Sequence, residues 1–484
     1  MPASLLSSCL RQRAVSRFAT ANYQLHNSPQ TSRTAFVAVV GAALLGMVGC
    51  VAPAAMTSGD SQVTALSGSV HGGQQPVVGA TISLVAPGIT GYGSAGTVLA
   101  TAVTNASGGF TLPAYPCPAN SELVYLLATG GNAGGGANPS IAEAAILGPC
   151  SGLTPTTFVN ITEVTTVAAA YALAPFANVT TGGATIGTSA TNLQGLNNAS
   201  GAAGNLANVS TGFAHLTGDF PGIVPPTAEI NTLADIIAAC VNQGSSGANG
   251  TCNTLFTAAT PAGGTAPTDT FSAMLNIAQH PGNNTGTLFG LSSANGPFQP
   301  TLTSTPPDFS VALGFNGGAI TLGGGTVGIA IDASGNAWVS TGLNTPSVHT
   351  LTEISPAGVY LSGATVAATT GFGSTVLTNG IGLAIDQNGA VFVDNNGSGN
   401  VVKFNPNGTV QATITAASFN GPNAVAIDAG GNPWIANFGG NKVTKITTAG
   451  VEAANSPFTV GTGGTSILRL DPWLSGRRTI KPKS

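Results

Sequence analysis

Towards its C-terminal end the chain repeats itself, and a repeat constrains a fold more than composition does. Gly328 to Val339, Gly382 to Val393 and Ala424 to Ile435 follow one pattern. Small and apolar residues alternate up to an aspartate, Asp332, Asp386 or Asp428. A glycine stands three residues on (Gly335, Gly389, Gly431) and an aromatic six residues on (Trp338, Phe392, Trp434). An aspartate that opens a tight turn caps backbone N–H groups, and the glycine supplies the left-handed conformation that closes it. A second turn follows in each copy, at Pro356-Ala357-Gly358, Pro406-Asn407-Gly408 and Thr448-Ala449-Gly450. Units of about 42 to 54 residues with four short strands have the size of propeller blades.

This pattern resembles the NHL-repeat β-propellers and, more loosely, virginiamycin B lyase, over residues 310–465. The resemblance implies a partial β-propeller of NHL-type blades over 309–471, three to four in number, where such propellers usually close with about six. Asp471 falls where a fourth aspartate is due, and Phe309 to Thr326 leaves room for further strands. Residues 472–484 then form a basic tail without the Gly-Asn turn, which points to a frameshift or truncation. An open propeller exposes strand edges and needs a partner.

Lyase chemistry of the kind the looser resemblance implies uses histidines, a glutamate and a divalent metal at the propeller centre. The repeat region holds His349, Glu353 and Glu452. His349 and Glu353 lie four apart on an expected strand and share a face. Glu353, however, occupies the slot filled by Lys403 and Lys445 in the other copies, which reads as solvated surface. The lyase activity is therefore not carried over, and no catalytic residue, metal or cofactor is expected. The repeat aspartates could form a cation ring, but turn capping is the expectation. Trp338, Phe392 and Trp434 are expected to pack blades rather than to form a sugar platform. Asp394-Asn395-Asn396 is read as structural, and His215 and His280 as isolated.

Charge is scarce. Lys, Arg, Asp and Glu make up 6% of the 484 residues, against about 25% in an ordinary soluble domain. Of the basic residues, only Lys403, Lys442 and Lys445 lie between Arg33 and Arg469. No basic face can form, which excludes nucleic-acid binding. Coiled coils and charge-rich disorder are excluded by the same scarcity.

Residues 1–50 read as an export signal. Thr34 to Val48 is an apolar run led by Arg33, shorter than the roughly 20 residues of a spanning helix. It ends Gly46-Met47-Val48-Gly49-Cys50, which resembles a bacterial lipobox with Met in place of the usual Leu. The resemblance implies a lipid on Cys50 and anchorage to the membrane. Cleavage near Ala54, with a periplasmic or secreted product, is the alternative. Four cysteines remain in the exported part, and the favoured pairing is Cys117–Cys150 and Cys240–Cys252, each within one segment.

Residues 62–130 hold short strands split by Gly, Pro and Asn, as in a small β-sandwich. Gly68-Ser69-Val70, Pro76 to Ile82 and Thr104 to Leu112 resemble the carboxypeptidase-regulatory-like module, usually a non-catalytic spacer or adhesion unit. His71 is read as solvated in a turn. Residues 135–300 read as an Ala-rich helical domain, with helical spacing at 162–173, 227–241 and 268–278, and more weakly over 192–216. The expectation is a multidomain protein: β-sandwich, α-helical middle, partial propeller. Its expected function is a non-enzymatic, exported envelope or surface scaffold that binds a protein or glycan. A metal-dependent lyase- or lactonase-like enzyme and a purely structural envelope lipoprotein are the alternatives.

Overall fold

The computed structural model describes residues 62–63, 66–118, 123–220, 223–243, 250–315, 325–343, 350–362, 371–373 and 375–460. The export signal with Cys50, His349, Asp471 and the basic tail lie outside the described residues.

Two four-stranded sheets are built from β1 (Ser67–Gly72), β2 (Thr81–Ala86), β3 (Thr97–Val103), β4 (Gly109–Thr111), β5 (Val124–Thr129), β6 (Ala142–Gly148) and β7 (Phe158–Ile161), with the two-residue Gln75–Pro76 paired to β1. One sheet runs β3-β2-β5-β6, antiparallel throughout. The other centres on β1, which pairs in parallel with β7 and antiparallel with β4. Val70, Phe110, Val159 and Ile161 meet Ile82, Leu84, Val124 and Leu126 between the sheets, all buried.

Two of these strands come from the stretch that reads as helical. Residues 141–147 look like helix because Ala is frequent and the polar–apolar alternation of a half-exposed strand is missing. The cause is burial on both faces. Ala145 faces the second sheet, whereas Ala142, Ala144 and Ile146 face a layer of helices. The sandwich and the helical middle are thus three layers sharing one central sheet.

The helical layer holds α1 (Glu163–Leu173), α2 (Leu193–Leu206), α3 (Thr227–Val241), α4 (Thr251–Ala259) and α5 (Thr270–Gln279). Helix α1 is apolar nearly all round and lies at the centre, its Val164, Val167 and Ala168 buried. Thr162 starts it with a reciprocal cap. Its hydroxyl accepts from Thr165 N–H at 3.3 Å, and its own N–H donates to Thr165 Oγ1 at 2.9 Å. The free edge of β6 is closed by threonines: Ala144 N–H donates to Thr166 Oγ1 and Ala142 N–H to Thr270 Oγ1, each at 2.9 Å. An edge that would otherwise invite pairing is thereby satisfied without charge.

The cysteines pair as favoured from the sequence, Cys117–Cys150 and Cys240–Cys252, with Cα–Cα distances of 5.6 and 4.5 Å. Disulfides fit an oxidising, non-cytoplasmic environment. Among the described residues no helix is long and apolar enough to cross a membrane.

The repeats form three antiparallel sheets with strands in chain order. Blade one holds β8 (Gly325–Ile331), β9 (Ala337–Leu343) and β10 (Leu351–Ile354). Blade two holds β11 (Gly380–Ile385), β12 (Val391–Asn395), β13 (Asn400–Phe404) and β14 (Val410–Ile414). Blade three holds β15 (Pro422–Ile427), β16 (Pro433–Asn437), β17 (Lys442–Lys445) and β18 (Phe458–Thr459). They stack face to face. Trp338 and Leu351 of blade one cover Val391, Val393, Val402 and Phe404 of blade two. Phe392, Val401 and Ile414 of blade two meet Val425 and Ile435 of blade three.

The Cys240–Cys252 link closes α3 onto α4. Replacing both cysteines by alanine is expected to lower the unfolding free energy by about 3 kcal/mol, read from urea denaturation.

Candidate functional site

The repeat turns set each blade's geometry. Gly335, Gly389 and Gly431 adopt φ of 83°, 80° and 76°, the left-handed region that glycine tolerates. Asp332 Oδ1 accepts from the N–H groups of Ser334 and Asn336 at 2.8 and 2.9 Å. Asp386 Oδ1 accepts from Asn388 and Ala390, both at 2.9 Å. Asp428 Oδ1 accepts from Gly430 and Asn432 at 2.9 and 3.0 Å.

The second carboxylate oxygen does something the sequence reading missed. The indole Nε1 of Trp338 donates to Asp332 Oδ2 at 3.1 Å, and that of Trp434 to Asp428 Oδ2 at 3.0 Å. The six-residue spacing from aspartate to aromatic thus ties the turn to the following strand. Trp338, Phe392 and Trp434 are all buried in blade packing.

The slot shared by Glu353, Lys403 and Lys445 is not solvated surface. Each of the three lies opposite its blade's aromatic, on the neighbouring strand. Glu353 is 7% exposed and accepts from Asn336 Nδ2 at 2.9 Å. Lys403 Nζ stands 5.0 Å over the Phe392 ring. Lys445 Nζ lies 5.0 Å over Trp434 and 2.9 Å from Asp428 Oδ2. Either sign fits because the local partner changes with it.

Blade one has a face with no blade upon it among the described residues. Ile329, Val339 and Thr352 take the register positions that Leu383, Val393 and Val402 take in blade two. Ile331, Ala337 and Ile354 likewise match Ile385, Val391 and Phe404. In blade two these positions lie beneath blade one. In blade one, Ile329, Ala337, Val339, Thr352 and Ile354 line a groove of about 460 Å³, walled also by Phe315 and Tyr360. Ile329 and Ile331 are 67% and 60% exposed. Phe315 is carried there by a short ladder with Ile223, which joins the helical layer to the rim. Hydroxyls of Thr352, Ser355 and Tyr360 are the polar side-chain groups of an otherwise apolar lining.

At the seam of blades one and two, Ser340 Oγ accepts from Gly328 N–H at 3.1 Å and donates to Ile381 O at 2.9 Å. Asp394 holds the matching place in blade two. It is fully buried and neither carboxylate oxygen has a partner. Burial pushes its pKa well above the ordinary carboxylate range, and a neutral acid there can donate across the seam as Ser340 does. Asn395, on the same strand, accepts from Thr378 N–H at 2.7 Å and so fixes the loop entering its blade.

Two of the histidines depart from their sequence reading. His215 is not isolated: its Nδ1 is 3.0 Å from Asp219 Oδ2 and its ring centroid is 4.5 Å from that of Phe220. His71 is half-buried at the end of β1, with Ser69 Oγ 3.4 Å from Nδ1. His280 caps the C-terminal end of α5.

No protein-family model matches the chain, and no curated protein matches it in sequence. Among solved structures, a streptogramin B lyase is 15% identical over 29% of this chain and 42% of its own, with a TM-score of 0.23. Virginiamycin B lyase from Staphylococcus aureus is 18% identical over 29% of this chain and 43% of its own, TM-score 0.22. A protein described as a putative gluconolactonase is 18% identical over 28% of this chain and 48% of its own, TM-score 0.23. The chain spans less than half the length of each.

Burial would raise the Asp428 pKa, but the Trp434 indole, Lys445 and Asn432 outweigh it and hold it far below 3.8. Its contribution to stability is thus present above pH 3.8 and lost as the pH falls further. Asp428→Ala is expected to cost about 3 kcal/mol at pH 7 and Asp386→Ala about 1 kcal/mol, because Asp386 holds only turn N–H groups. Urea denaturation of the two variants checks the order.

Proposed function

We propose that the chain is an exported envelope or surface scaffold that binds a protein partner through the open face of blade one. The observation that carries this reading is the groove itself. The register positions covered in blade two are exposed or half-exposed in blade one at Ile329, Ile331, Ala337 and Val339, while Thr352 and Ile354 form the buried floor. What covers them in blade two is an aromatic, apolar sheet face built on Trp338 and Leu351. The groove therefore suits an apolar protein surface better than a glycan, whose hydroxyls would find few polar partners along this wall. Disulfides fit the exported setting, and a lipid on Cys50 would hold the scaffold at the membrane. The blades are read as NHL-type, and the sandwich as a carboxypeptidase-regulatory-like spacer, on their residue patterns.

Ile329→Asp puts a charge on the groove wall without touching a buried position. It is expected to weaken binding of an envelope protein at least tenfold, since burying an apolar side chain of this size contributes about 1.5–3 kcal/mol. The comparison is co-purification from a detergent-solubilised envelope fraction by wild type and variant, with far-ultraviolet circular dichroism unchanged. A partner retained equally by both would refute the groove as the binding surface.

A further inference from the structure

Three carboxyl groups lie where the sheets, the helices and two loops meet. Glu143 is on β6, Glu163 opens α1 and Asp235 lies in α3. Their exposures are 0%, 0% and 3%. Both oxygens of Glu143, Oε2 of Glu163 and Oδ2 of Asp235 have no hydrogen-bond partner. Glu163 Oε1 accepts from Gly73 N–H at 2.7 Å, which holds the turn after β1. Asp235 Oδ1 accepts from Phe298 N–H at 3.2 Å, which holds the segment after the helices. These two loops touch: a Cβ on Gly73 would lie 3.4 Å from Pro297 Cγ. Gly296 is packed so closely on Asp235 that a Cβ there would overlap the carboxyl group.

The surroundings supply no counter-charge. The described lysines, Lys403, Lys442 and Lys445, all lie in the blades. From the β1 side the titratable group is His71, two residues before Gly73, and burial favours its neutral form. The 296–298 segment adds Gly296, Pro297 and Phe298, none of them ionisable. An isolated buried carboxylate is costly enough that such a group takes up a proton instead. Here each acid also repels its neighbour: Glu163 acts on Glu143, and Asp235 on Glu163.

We propose that Glu143, Glu163 and Asp235 form a latch of neutral acids that joins the two loops to the sheet–helix junction, closed in acid and loosened as protons leave. Burial first, and then Glu163, drives Glu143 well above 4.5. Burial drives Glu163 to about 8 against the opposing N–H groups of Glu163 itself and Gly73, with Asp235 adding to the rise. Burial drives Asp235 to about 6, against the opposing Phe298 N–H. Raised carboxyl values mean that the folded chain binds more protons than the unfolded one between the two values. The latch's contribution is therefore whole below pH 4.5 and declines through about pH 8, at close to tenfold in the folding equilibrium per pH unit for each proton concerned.

The test is urea denaturation from pH 4 to 9 for wild type, Glu143→Gln and Glu163→Gln. The expected result is a wild-type midpoint that falls across pH 4.5–8, and a shallower fall in each variant. A midpoint that is flat or rising over that interval, or variants with the wild-type slope, would overturn the proposal. Should the variants not fold, the wild type at pH 7 still decides. Burial also lifts Glu229 to about 7, so the protonated-carboxyl infrared band is read in the double variant Asp394→Asn, Glu229→Gln: its persistence supports the latch, and its absence rejects it. Stabilisation by millimolar Ca²⁺ at pH 7.5, lost in Glu143→Gln, would also overturn it by making the cluster a cation site.

Discussion

Most buried polar groups in a folded chain have a partner, and this chain must find its partners almost without cations. Lys403, Lys442 and Lys445 are the described basic side chains apart from histidine, and all three belong to the blades. Threonine and asparagine take over. Thr166 and Thr270 close the edge of β6. Thr162 and Thr165 cap α1. Thr104 accepts from Ala80 N–H and donates to Val77 O inside the sandwich. The arrangement works because hydroxyls and amides can be buried at small cost once both ends are satisfied.

The blades show the same economy. An aspartate satisfies a turn and, through its second oxygen, the indole that packs the blade. This one residue therefore links backbone geometry to the inter-blade core. Where the aromatic is Phe392, the indole donor is gone, and Lys403 sits over the ring as Lys445 does over Trp434. Stacking then depends on which face each blade presents. The groove is the face of blade one that lies outside that succession.

Much of this was legible in the sequence. The turn Asp–Gly pair and the aromatic repeat in register, so the blades and their turn glycines follow directly. Helices at 163–173, 227–241 and 270–279 match their apolar spacing. The central sheet was harder to read. β6 is buried on both faces, so its pattern carries neither the period of a surface strand nor a polar side, and its alanines read as helix. The slot at Glu353 was misread because opposite charges in one column look like surface, while their partners, Asn336 for Glu353, the Phe392 ring for Lys403 and Asp428 for Lys445, are met only in the folded blade. The buried acids left no local mark at all. Glu143, Glu163 and Asp235 stand in ordinary surroundings along the chain and meet only through the packing of β6, α1 and α3. The groove was foreseen only as an open end of the propeller, since its walls come from three strands and from Phe315, which a ladder with the distant Ile223 brings there.

The central claim is that this fold keeps carboxyl groups such as Glu143, Glu163 and Asp394 buried and neutral because no described cation pairs with them. Potentiometric titration of the folded chain against the urea-unfolded chain tests it most directly. The account predicts that at pH 7 the folded chain retains at least two more protons than the unfolded one, shared among Glu143, Glu163 and Asp394. Superimposable titration curves between pH 5 and 8 would contradict it.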